Sequence, residues 1–135
     1  MIKKEEILHL KICDYLRKNY PDVLFRTDFS SGMKMTPGQA AKHKKFQKSR
    51  AWPDLFIAES NNFASGLFLE IKAEDVVVFN RNGKIRKNKH LIEQDKMLKE
   101  LRKKGYRARF AIGYNQAIFE IQQYLGEPKH KKVEF

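Results

Sequence analysis

At 135 residues, with 41% hydrophobic side chains, the chain has enough apolar mass for one core and not for two. Lysine and arginine number 28 against 16 aspartates and glutamates, and the net charge of +12 points to a polyanionic partner, nucleic acid ahead of a membrane surface. No stretch approaches the roughly 18 apolar residues of a spanning helix, no signal-peptide core opens the chain, and the lone Cys13 excludes an internal disulfide. A soluble, cytoplasmic protein without a membrane partner is therefore expected.

Residues 3–19 read as a first helix, with Leu8, Ile12, Tyr15 and Leu16 on one stripe and Pro21 as its stop. Cys13 in this helix reads as a small core residue. Glu5 falls near the buried stripe, where it either reaches a metal site from beneath or, with Glu6, complements the positive end of the helix. His9 borders the same stripe, as a packed or solvated side chain. Residues 23–29 are expected to form a strand. A long polar segment follows over 30–51, carrying Lys42, Lys44, Lys45, Lys48 and Arg50 with a short basic helix over 39–47. Because these charges are nearly all of one sign and directly precede Asp54, they are placed to hold phosphates.

The runs DLFIA and GLFLEIK, joined by Ser60, Asn61 and Asn62, read as a hairpin. In the second run a period of two sets Leu67, Leu69 and Ile71 on one face and Phe68, Glu70 and Lys72 on the other. Asp54 opens the first run, so antiparallel pairing brings two carboxylates and one lysine together. Such a trio suits phosphodiester hydrolysis: hard oxygen ligands for a cation such as magnesium, charge stabilisation at phosphate, and a lysine beside the attacking water. The residues alone leave a second reading open, in which Glu70 and Lys72 form an ion pair on a solvated sheet face and Asp54 is a turn residue.

Residues 73–79 are expected to prolong the strand, with Asn82-Gly83 as a turn. A second basic cluster, Arg81, Lys84, Arg86, Lys87, Lys89 and His90, then flanks the site from the other side. Residues 91–104 form an amphipathic helix with Leu91, Met97, Leu98 and Leu101 inward and Gly105 as its stop. Gln94 lies on that stripe, either reaching solvent or pointing across to Glu70, Lys72 or a bound phosphate. Residues 106–112 read as a strand and 116–125 as a last helix, with Ala117, Ile118, Ile121 and Leu125 apolar. A basic tail over 126–135 is expected to be mobile. Glycine-rich phosphate loops, zinc-ligand spacings and serine-centred triads are absent from the sequence.

The order helix, strand, hairpin with Asp and Glu-x-Lys, helix with inward Gln, strand, helix resembles the PD-(D/E)XK nuclease superfamily. More narrowly, Pro53-Asp54-Leu55, Gly66 to Lys72, Gln94 with Leu98, Leu101, Gly105 and Tyr106, and Ile121 with Tyr124 and Leu125 resemble a stand-alone, phage-type VRR-NUC domain. The resemblance covers nearly the whole chain. It implies an α/β, restriction-endonuclease-like αβββαβ core with a mixed sheet between helices, spanning 1–125 with 30–51 as a basic insertion. It further implies that Asp54, Glu70 and the backbone carbonyl of Ile71 bind Mg²⁺, for which Mn²⁺ substitutes, with Lys72 serving the water and Gln94 nearby. By apolar register the acid that related junction resolvases carry on the first helix falls at His9, with Glu5 one turn earlier. Many relatives have a glycine close to the PD pair, where this chain has Trp52. The activity implied is a metal-dependent endonuclease on branched DNA, resembling Holliday junction resolvases and acting as a homodimer. Alternatives are a nicking or flap nuclease with the same site, a non-catalytic nucleic-acid binder, and a structural partner of a larger assembly.

Overall fold

A computed structural model describes residues 4–28, 36–46 and 51–129. The chain runs α1 (Lys4–Asn19), β1 (Phe25–Thr27), α2 (Pro37–Lys45), β2 (Leu55–Ile57), β3 (Leu67–Lys72), α3 (Lys89–Lys103), β4 (Arg107–Ile112) and α4 (Gly113–Leu125). The strands form one mixed sheet in the order β1-β2-β3-β4. β1 with β2 and β2 with β3 are antiparallel, whereas β3 and β4 are parallel. Parallel neighbours require a crossover, and α3 supplies it. This is an α/β, restriction-endonuclease-like arrangement in which α2 is inserted between β1 and β2 and α4 follows β4.

The alternation along β3 sorts the two faces. Leu67, Leu69 and Ile71 join Leu55, Ile57 and Ala111 against Ile12 and Leu16 of α1 and Ala117, Ile121 and Tyr124 of α4. On the other face Phe68 packs with Ala108 beneath Leu98 and Leu101 of α3. A strand covered on both sides reads as a nearly continuous apolar run, which accounts for LFLEIK. The hairpin turn is organised by Asn61, whose Oδ1 accepts from the backbone N–H groups of Phe63 and Ala64, both at 2.8 Å. Its Nδ2 donates to the Tyr124 carbonyl, tying the turn to α4.

Four expectations are corrected. The strand beyond Lys72 does not form: its neighbour β4 ends opposite, at Ile112, so the ladder has no partner for Val76 to Phe79. The chain turns instead, with Val76 N–H donating to the Ala73 carbonyl, and only an isolated bridge joins Phe79 to Ile85 across the Asn82-Gly83 turn. The last helix starts at Gly113 rather than 116, because Gly113 takes a φ of 83° and swings the chain from strand into helix without a loop. The first strand is confined to three residues. The buried stripe of α1 is rotated, with His9 and Cys13 joining Ile12 and Leu16 while Leu8 and Tyr15 are only partly buried.

The basic helix of the long segment forms two residues earlier than its charges suggest. Thr36 caps it, accepting from Gln39 N–H while the Gln39 side chain accepts from Thr36 N–H. No helix among the described residues is long and apolar enough to cross a membrane. Most of the expected mobile tail, residues 130–135, lies outside the described residues.

Candidate active site

Leu55 pairs with Leu69, and one further step of that register sets Asp54 opposite Glu70. Both carboxylates therefore leave the sheet on the face that α3 covers. Both are buried, at 7% and 4% exposure, and burial without a neutralising partner is unfavourable for a charged group. Asp54 Oδ2 accepts from the Ile71 N–H at 2.9 Å, which fixes the carboxylate beside the β3 backbone just past Glu70. Lys72 Nζ lies 3.7 Å from Glu70 Oε1. Gln94 reaches the same oxygen from α3, its Nε2 donating at 3.2 Å. Gln94 Oε1 is out of solvent with no protein partner, leaving one acceptor for a water or a substrate group.

Burial, then the neighbouring Asp54 charge, push the Glu70 carboxyl up to about 9 against the opposing pull of Lys72. Burial also raises Asp54, while its bond to Glu70 and the charges of His9 and Lys72 pull it down. Two acids so close in a dry site cannot both stay ionised without a cation between them, and they share a proton in its absence. Among the described residues no three His, Cys, Asp or Glu side chains come together closely enough to hold a metal ion by themselves. The chain thus offers two buried carboxylates, hard oxygen donors that fit a small divalent cation completing its shell with waters and phosphate oxygens.

A cavity of about 620 Å³ opens over this group, lined among others by Glu5, His9, Asp54, Glu70, Lys72 and Gln94. Glu5 stands exposed at its wall, one helical turn from the buried His9. Ala51 and Glu93 are lining residues that sequence reasoning did not assign to the site, while His9, where apolar register sets the relatives' helix acid, lines it as a buried side chain. Leu8 and Leu10 flank His9, and only the rotation of α1 turns the histidine rather than Leu10 inward; nothing in the sequence singled out Glu93. Lys89 and His90, at the start of α3, line the cavity as well.

The remaining basic residues lie around this opening only in part. Lys42, Lys44 and Lys45 are exposed on α2, Arg81, Lys84, Arg86 and Lys87 along the segment between β3 and α3, and Lys89 at the first position of α3. Lys48 and Arg50 lie outside the described residues. Cys13 is buried, and burial raises its thiol above the ordinary value, as befits a packed and unreactive side chain.

No protein-family model and no curated protein matches the chain. Among solved structures it is similar to a protein described as a "VRR_NUC domain protein", with a TM-score of 0.61 and 21% identity, over 100% of this chain and 98% of the other. The two share a fold along their whole length.

Proposed function

We propose that this chain, which has the fold of a VRR_NUC domain protein, is a metal-dependent endonuclease that hydrolyses DNA phosphodiester bonds, with branched DNA as its substrate. The observation that carries the proposal is the buried pair Asp54 and Glu70 with Lys72 beside it. A binding surface for DNA gains nothing from two desolvated acids, which repel phosphate. A hydrolytic site needs them.

In this reading Asp54, Glu70 and the Ile71 carbonyl hold Mg²⁺ or Mn²⁺, which, when bound, neutralises charge on the scissile phosphate and makes a water more acidic. Lys72 orients the attacking water, whose oxygen bonds to phosphorus as the bridging P–O bond breaks, and steadies the charge that builds up. Gln94 fixes the Glu70 carboxylate through its amide. The exposed lysines and arginines of α2 and of residues 81–89 bind flanking phosphates without reading sequence. Symmetrical incision of a four-way junction takes two such sites, so the acting unit is a homodimer.

The test is cleavage of labelled four-way junction, flap and linear duplex in magnesium, manganese or chelator, with the Glu70→Ala variant in parallel. Metal-dependent cutting that is greatest on the junction and absent in the variant is expected. Tight binding with no cutting of any substrate in either metal would replace the nuclease with a non-catalytic DNA binder.

A further inference from the structure

Among the described residues, the sheet face that carries Glu70 is covered by a helix over only part of its width. α3 lies over its β3 and β4 side through Leu98 and Leu101, and the β1 and β2 side is left to an aromatic groove. Arg26, Phe56 and Phe68 pair across β1, β2 and β3, so all three project from this one face. Phe56 and Phe68 stack at 4.5 Å between centroids, and Tyr106 meets Phe68 edge-on at 5.2 Å. Trp52 tilts over Phe68 at 5.9 Å.

One of these rings, and a further one just after α2, are not used up by packing. Trp52 is 42% exposed, and Phe46, at the end of α2, is 79% exposed. Together with Arg26, His43, Phe56 and Asp54 they line a cavity of about 680 Å³. Asp54 lines this cavity and the acidic one, so the proposed metal ligand borders both. Arg26 and His43 are the basic side chains of the aromatic cavity's lining, and α2 carries Lys42, Lys44 and Lys45 beside His43 in its last turn. Asp28 is the one further acid in the lining.

We propose that this groove is a stacking subsite for unpaired nucleotides next to the scissile phosphate, with bases on Trp52 and Phe46 and phosphates on Arg26 and α2. Flat apolar faces suit bases of any sequence, and basic side chains suit the strand that carries them. A paired base offers its face to its neighbours in the duplex instead, so the groove favours flaps, gaps and open junctions over blunt duplex. It takes its purpose from the nuclease reading and deepens it by naming a single-stranded feature of the substrate.

Trp52 is the chain's sole tryptophan, so its emission reports this groove alone. The experiment titrates the full chain in chelator, where no cutting interferes, with a deoxythymidylate dodecamer and with blunt duplex, following Trp52 fluorescence and, separately, anisotropy of labelled oligonucleotide. Quenching of Trp52 by the single strand and not by duplex is expected. Phe46→Ala, at a position too exposed to threaten folding, should weaken dodecamer binding roughly 5- to 150-fold, the range typical of one lost base stack. Binding of the dodecamer with Trp52 emission unchanged, or with the Phe46→Ala affinity within twofold of the parent, would overturn the subsite. So would loss of Trp52 accessibility through self-association at working concentration without DNA, which would make the groove a contact between two copies. A chain that cuts DNA yet fails this titration loses only the groove, and one that passes it yet never cuts loses only the nuclease.

Discussion

Replacing Glu70 by Gln in metal-free protein isolates the electrostatics of the site from its chemistry. The Glu70 carboxyl is raised from its ordinary 4.5 to about 9 by burial and by Asp54. Between those values the folded chain holds a proton that the unfolded chain has released. Stability therefore falls as pH rises, beginning near the unfolded value and ending only near the folded one. A shift of one pH unit inside this window is worth at most about 1.4 kcal/mol, so from pH 5 to pH 8 the loss from Glu70 approaches roughly 4 kcal/mol as an upper bound. Glutamine keeps the shape and has no proton to lose. Urea unfolding in chelator at several pH values should show the parent losing stability relative to Glu70→Gln as pH rises, with Mg²⁺ or Mn²⁺ restoring the parent alone. The comparison is made between the two chains because the net charge of +12 shrinks toward the pI of about 9.8 in both and stabilises each equally. Parallel profiles for the two chains would refute the shared-proton account of Asp54 and Glu70.

Two further outcomes follow from particular contacts. A methyl group on Gly66 would sit 2.8 Å from the Phe56 ring and 3.0 Å from the Ile57 carbonyl oxygen, so Gly66→Ala should destabilise the fold by about 1–3 kcal/mol in denaturant titration. Lys72→Met should reduce the rate of DNA cleavage by roughly 10²- to 10³-fold, the scale of one lost charge-stabilising donor, while a gel-shift titration in chelator leaves the DNA affinity nearly unchanged.

The hairpin and its trio were legible because period-two alternation is a local property: Glu70 and Lys72 interrupt an apolar strand, and Asp54 opens its partner. The over-long strand after Lys72 has the opposite cause. Val76, Val77, Val78 and Phe79 have strand propensity, yet propensity without a neighbour makes no ladder, and β4 ends at Ile112. His9 was named as the place of the relatives' helix acid, but its burial was not legible, because helix rotation is set by what packs above and a histidine contributes little to an apolar stripe. The aromatic groove was hidden for a different reason. Phe46 and Trp52 belong to separate segments, and Trp52 looked like an intrusion on the Pro53-Asp54 backbone; only the sheet, by aligning Arg26, Phe56 and Phe68 in one row, turns it into a wall.

The Asp28 N–H donates to the Asp54 carbonyl at 2.8 Å, closing the ladder just where the long basic excursion leaves β1 and re-enters β2. Departure and return thus occur at a single point of the sheet, and the registered pairs of β1 with β2 are all made outside the excursion. A tight reverse turn of two to five residues spans the same gap between antiparallel neighbours. Shortening, exchanging or re-charging that excursion should therefore leave the carboxylate that begins the next strand where it is.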